Sequence, residues 1–274
     1  MSPATASIAD LPHALRDEAR FAERLGGRSP AVFTDYDGVL TPIVERPEDA
    51  VISDSMREVL RDLARRCPVC VVSGRDRAVV QELMGIDDLV VAGSHGFDIW
   101  SPEAGTLEHE AGAGQEGLIE QVTEQLRAAV GGVQGVAIEP KKVSVAAHYR
   151  LVAGEGDRTR VRQAVEQLLA ERPDELKVTP GKMVYELQPK LDWDKGRAVL
   201  YLIDALGLDS DDVTPLYLGD DITDEHAFAA LKGRGIGIFV GSHDDPERVG
   251  RATAADFVLD SVAEVERFLD GLAH

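Results

Sequence analysis

Three apolar runs in this chain each stop at a residue with reactive or charged chemistry. AVFTD ends at Asp35, VCVVS at Ser73 and TPLYLGD at Asp220. Each run is too short for a helix of ordinary length and too continuously apolar for a half-exposed strand. Stretches of helical period lie between them, such as Asp54 to Arg66 behind a Ser53 cap and the DWDKGRAVLYLIDALG segment that begins near Lys195. Continuous apolar strands alternating with amphipathic helices imply parallel strands covered on both faces. The expected fold class is therefore α/β, a doubly wound, Rossmann-like parallel sheet. Ligands of such sheets bind beyond the carboxyl ends of the strands. That is where Asp35, Asp37, Ser73 and Asp220 fall, joined by Lys195 from a helix N-terminus.

The rhythm breaks once. EAGAGQEG, residues 110 to 117, is small and hinge-like. From 113 to 187 the order reads helix, strand, strand, repeated, which fits an antiparallel sheet with helices on one side. The chain is thus expected to comprise a core (1–112 and 188–274) and an inserted α+β cap domain (113–187) that closes over a substrate and sets specificity. The cap strands carry unusual charges: Glu139 and Lys141, His148 and Arg150, Lys182 and Glu186. Residues two or four apart on a strand share a face. Acids and bases converging on one face suit a polyhydroxylated ligand, because carboxylates accept from hydroxyls and Lys or Arg donate to them. The alternative is an outward-facing solvated sheet laced with salt bridges.

Composition narrows the class. The 274 residues carry a net charge of −20, with 44% hydrophobic and 28% charged residues. Such acidity is at odds with a nucleic-acid footprint, which needs a basic face, and with an anionic membrane surface. No apolar run approaches the roughly 20 residues of a membrane span. The N-terminal stretch has no apolar segment of a secretion signal, so the expected compartment is the cytoplasm. The two cysteines form CPVC, Cys67 to Cys70. A redox pair usually opens a helix, where thiol pKa is lowered. Here a helix precedes the pair and a strand follows, so Cys70 is expected in the core.

The acidic crowd needs an explanation. Burying a carboxylate costs of the order of several kcal/mol unless it is paired or metal-bound. A hard divalent cation with oxygen ligands, Mg²⁺, together with Lys195, would offset that cost. Asp35 and Asp220 are the expected side-chain ligands. Asp221 and Asp224 are either ordinary helix N-terminal acids or supports for the metal site.

The motifs DYDGV, a strand-end Ser73, Lys195 in WDKG and GDDITD occur in the order seen in the haloacid dehalogenase superfamily of phosphotransferases, which the chain resembles. The resemblance implies that Asp35 is a nucleophile forming a phosphoaspartate. It implies that Asp37 is the general acid and then the base, binding the metal through its backbone carbonyl. Ser73 and Lys195 would hold phosphoryl oxygens. Further strings, SGRD, GSHGF, TPGKMVYELQP and YLGDDITDEHAF, make the chain similar to the trehalose-phosphatase family. That likeness implies a Mg²⁺-dependent sugar-phosphate phosphatase. In it Glu139, Lys141, Arg150, Lys182 and Glu186 would hold the sugar, and Arg75 and His95 would lie beside the core site, where they are expected to serve substrate binding. Val39 and Gln188 depart from the family pattern, where Thr and Arg are common. Response-regulator receivers gather a similar set of residues, but they are shorter, have no inserted cap and have no acid two residues past the phosphorylated Asp.

Overall fold

A computed structural model describes residues 6–107, 114–181, 183–242 and 251–274. The chain forms two compact units, Met1–Leu107 with Trp193–His274, and Glu108–Asp192.

The first unit is built on an eight-stranded sheet. In chain order its strands are β2 (Ser29–Thr34), β3 (Val69–Val72), β4 (Val90–Gly93), β5 (Asp98–Ser101), β6 (Gly105–Leu107), β11 (Val213–Gly219), β12 (Ile236–Val240) and β14 (Phe257–Leu259). Their order across the sheet is β14-β12-β11-β2-β3-β4-β5-β6. The strands from β14 to β4 pair in parallel, and β5 and β6 add antiparallel. A small ribbon pairs β1 (Ala6–Ser7) with β13 (Ala252–Thr253). The doubly wound expectation is met; it did not include the antiparallel edge or the small ribbon. β5 and β6 are short strands with partly polar faces, so they lack the apolar run that reveals a central strand.

Helices α2 (Asp54–Ala64), α3 (Arg77–Met84), α6 (Lys195–Ala205), α7 (Glu225–Leu231) and α8 (Val262–Ala273) flank this sheet, with α2 packed on α8 and α6 on α7. Ser53 caps α2 by accepting from Met56 N–H at 3.0 Å. Helix α1 spans only Glu18–Leu25, although Asp10 could cap a helix running from there to the Gly26-Gly27 pair. Pro12 accounts for this, because it forces Leu11 into an extended conformation and ends a 3-10 turn at Asp10. β3, β11 and β12 are buried along almost their whole length, and Val32, Val71, Leu216, Leu218 and Ile238 sit in one core with Met56, Leu60 and Leu269. Val39 is wholly buried in the same core. Both cysteines are free and buried.

The second unit runs α4 (Glu116–Val130), β7 (Ala137–Pro140), β8 (Val145–His148), α5 (Glu155–Glu171), β9 (Leu176–Gly181), β10 (Val184–Pro189). Its four strands are antiparallel in the order β7-β8-β10-β9. Val145, Ala147 and Leu187 face the helices and pack with Val122, Leu126, Val161 and Val165. Among the described residues no helix is long and apolar enough to cross a membrane.

Candidate active site

The strand order reverses between β2 and β11. β2 is followed in sequence by strands on one side, and β11 by strands on the other. A crevice at such a switch point is where an open α/β sheet binds ligands. The register brings the motifs level: Thr34 pairs with both Val71 and Leu218. Asp35 is then one residue past its paired position, and Ser73 and Asp220 are each two past theirs.

Lys195 is the first residue of α6, behind an Asp194 cap that accepts from Arg197 N–H at 2.9 Å. α6 is pressed against α7 so closely that a Cβ on Gly196 would lie 2.4 Å from the carbonyl oxygen of His226. Lys195 is thereby buried. Its Nζ donates to Asp35 Oδ2 at 2.5 Å and to Asp224 Oδ1 at 2.7 Å. Asp35 Oδ1 accepts from Tyr36 N–H at 2.6 Å.

Asp224 is fully enclosed and accepts four hydrogen bonds. Besides Lys195, the Tyr217 hydroxyl donates to Oδ1 at 2.7 Å, and the backbone N–H groups of Asp220 and Asp221 donate to Oδ2 at 3.0 and 2.9 Å. It is the strut of the acidic loop. Asp221 plays a smaller part, capping the turn by accepting from Ile222 N–H at 2.6 Å.

Carboxylate oxygens of Asp35, Asp220 and Asp224 lie within 4.8 Å of one another. Burial, opposed by Lys195, lifts the Asp35 carboxyl to about 7. Burial and the neighbouring carboxylates lift Asp220 to about 8. Burial alone would lower Lys195, but Asp224 and Asp35 outweigh it and hold the ammonium well above its ordinary value. One ammonium therefore does not balance this group, and its hard oxygen donors suit a divalent cation. Gly38 adds to the fit. Its φ is +74°, and a Cβ there would sit 2.3 Å from Asp220 Oδ2. The Asp220 carboxylate thus lies against the main chain immediately after Asp37.

The Asp37 side chain turns to another partner. Arg75 donates to it twice, Nε to Oδ2 at 2.6 Å and Nη2 to Oδ1 at 2.7 Å. Ser73 is buried, and its Oγ accepts from Arg75 N–H at 3.2 Å. His95 lies against the same loop: a Cβ on Gly74 would be 2.7 Å from its Cε1. The sequence supplied Asp35, Asp37, Ser73, Lys195 and Asp220. It gave no sign of Tyr217 as a partner of Asp224, because that tyrosine reads as one more apolar strand residue.

In the second unit, cross-strand register rather than spacing along a strand sets the pairs. Ala146 is opposite both Glu139 and Glu186, so these acids share one face, away from the helices. His148 Nε2 and Glu139 Oε2 are 2.7 Å apart. Lys141 Nζ donates to Glu186 Oε1 at 3.1 Å, and the Ser144 hydroxyl donates to the same oxygen at 2.7 Å. Lys141 and Arg150 lie just beyond the strand ends rather than on them. Lys182 falls outside the described residues.

Residues 33–262 match the sequence profile of the trehalose-phosphatases. The chain is similar to the trehalose-phosphate phosphatase of Mycobacterium tuberculosis, with 42% identity over 97% of this chain, and it spans 66% of that relative's length. The structure of an Aspergillus fumigatus trehalose-6-phosphate phosphatase is 31% identical, with a TM-score of 0.66 over 96% of this chain and 98% of that one. The C-terminal domain of the C. albicans trehalose-6-phosphate phosphatase shares the fold, with a TM-score of 0.78 at 23% identity over 96% of this chain and 98% of that one. The profile match runs from the strand before Asp35 to the start of α8 and includes every core motif described above, so the chain belongs to the trehalose-phosphatase family.

Proposed function

We propose that this chain hydrolyses trehalose 6-phosphate to trehalose and inorganic phosphate, using Mg²⁺ and a phosphoaspartate at Asp35. The observation that carries this reading is the buried Lys195 ammonium bridging Asp35 and Asp224 beside Asp220 at the β2/β11 switch point. The family and the names of its relatives supply the substrate.

The steps follow from residue chemistry. Asp35 attacks phosphorus in line, the bond to the sugar oxygen breaks, and Asp37 delivers a proton to that oxygen. Asp37, now ionised, takes a proton from water, which attacks the acyl phosphate and returns Asp35 as a carboxylate with release of phosphate. Lys195 and Ser73 hold phosphoryl oxygens. Asp35, Asp220 and the Asp37 backbone carbonyl would hold the divalent ion, with Asp224 fixing the loop that carries Asp220. When bound, the ion neutralises charge on these carboxylates and on the phosphoryl oxygens. Glu139, Lys141, Arg150, Lys182 and Glu186 hold the sugar. His95 supports the core side of the site.

The test is phosphate release from a panel of sugar phosphates with Mg²⁺ or with EDTA. Trehalose 6-phosphate should be turned over best, EDTA should abolish release, and added Mg²⁺ should restore it. Asp35→Asn should be inactive, because an amide does not attack phosphorus. Full turnover in a metal-stripped sample, or preference for an unrelated sugar phosphate, would sink the corresponding part. A long-lived phosphoaspartate without turnover would favour a receiver-like role.

A further inference from the structure

Arg75 is held from several directions by groups of the core unit. Its backbone N–H donates to Ser73 Oγ at 3.2 Å, and its carbonyl accepts from Ser94 N–H at 2.7 Å. His95 N–H in turn donates to the Ser73 carbonyl at 2.8 Å. Ser94 and His95 both have positive φ, 50° and 58°. Two successive non-glycine residues in that region are costly and persist only where the surroundings impose them. Here they clamp the Ser73–Gly74–Arg75 loop. The guanidinium is fixed as well: Nη1 donates to the Pro47 carbonyl at 2.8 Å, and Cζ lies 5.9 Å from the centroid of the Tyr36 ring. Tyr36 itself is tied down by its hydroxyl, which donates to the Ala50 carbonyl at 2.6 Å.

All of this rigidity ends in the paired hydrogen bonds to Asp37. A side chain reserved for a visiting phosphate would gain little from being locked to a carboxylate through both of that group's oxygens. Planar, two-point pairing fixes direction as well as distance. An ionised carboxylate still has lone pairs left when each oxygen accepts one bond. From this we infer that Arg75 is a positioning residue for Asp37. It sets the rotamer from which the ionised Asp37 takes the proton of the attacking water, rather than binding substrate itself. The inference rests on the phosphatase reading above.

A double-mutant cycle separates the alternatives, with Arg75→Lys and Asp37→Asn alone and combined. Each is assayed on trehalose 6-phosphate and on an aryl phosphate. Lysine keeps the charge but not the fork. If Arg75 acts through Asp37, Arg75→Lys should cut kcat on trehalose 6-phosphate at least about tenfold, part of the general acid–base contribution, while KM stays within about threefold. In the Asp37→Asn background the same change should cost less than about threefold, because the group it positions is gone. An equal loss in both backgrounds, or a raised KM with kcat unchanged, would make Arg75 a phosphate contact and overturn the inference. Arg75→Gln is carried in parallel, and thermal melting is recorded for both variants. Loss of cooperative melting in both would mark Arg75 as a folding strut and equally overturn it. If the wild-type chain ignores trehalose 6-phosphate but cleaves the aryl phosphate, the substrate assignment fails and the cycle on the aryl phosphate still decides the role of Arg75. A wild-type chain inert to every phosphate ester would overturn the phosphatase reading and this inference together.

Discussion

Asp224 shows how one buried carboxylate organises the acidic loop around it. Replacing it by Ala would leave the Tyr217 hydroxyl, two backbone N–H groups and one arm of Lys195 without their acceptor. Each orphaned buried donor costs about 1–3 kcal/mol. Urea melts of Asp224→Ala should therefore show a large loss of stability, and activity should fall with it. Tyr217→Phe removes one of four donors, so it should cost only about 0.5–1.5 kcal/mol. If both variants lost the same amount, Asp224 would not be the strut. The acids around it also fix the sign of a pH effect. In the fold Asp220 holds its proton up to about 8, whereas an unfolded Asp loses it near 3.9. A raised carboxyl of this kind supports the metal-free fold below about pH 4 and loses that support as pH climbs to about 8. A divalent ion binds the ionised form and reverses the trend. The rise in melting temperature on replacing EDTA with Mg²⁺ should accordingly be larger near about pH 8.5 than near about pH 6. An equal or smaller rise at the higher pH would contradict this account.

Gly38 and the CPVC strand make the same point for loops and strands. The loop after β2 turns at Gly38 with φ of +74°, in contact distance of the Asp220 carboxylate. Gly38→Ala should both strain the turn and displace Asp220, so Mg²⁺ affinity, read by titration calorimetry, should fall much further than thermal stability. Unchanged affinity would mean that Asp220 does not need this approach. Burial raises the Cys67 thiol to about 11, and Cys70, wholly enclosed in β3, is raised further. A thiol reagent should therefore leave the native protein unlabelled and react with two thiols after denaturation. Rapid native labelling would show that the strand opens. The same elements show what was legible in the sequence. β2, β3 and β11 are buried on both faces, so their apolar runs and the polar residues ending them could be read directly. β5 and β6 could not, because antiparallel edge strands are short and mixed in polarity. The Arg75–Asp37 pair was invisible for another reason. Its partners lie 38 positions apart, and only the parallel pairing of β2 with β3 brings their loops together.

At the scale of the whole chain, the proposed division of labour gives the core unit the phosphoryl chemistry and the second unit the sugar. Charge on short strands suggested either sugar recognition or a solvated sheet. Two kinds of pair occur there: the side chains of Lys141 and Glu186 retain only 9% and 13% of their exposure, whereas His148 and Glu139 form an open pair at 36% and 49%. Glu186 also takes the Ser144 hydroxyl, so its geometry is set in advance. A carboxylate prepared in this way can accept from sugar hydroxyls through charge-assisted bonds, each worth about 1.5–3 kcal/mol. Losing one such bond lowers kcat/KM by about 10- to 150-fold, at about 1.4 kcal/mol per tenfold. Glu186→Gln keeps the shape, and its amide oxygen can still accept from Lys141, so it tests charge with little harm to the fold. It should lower kcat/KM for trehalose 6-phosphate at least about tenfold. Hydrolysis of a small aryl phosphate, which has no sugar to hold, should change by less than about threefold. Parallel losses on both substrates would trace the effect to folding or to the core chemistry. No loss on either would leave Glu186 as a structural partner of Lys141, and sugar recognition would then have to be sought on other residues of the unit.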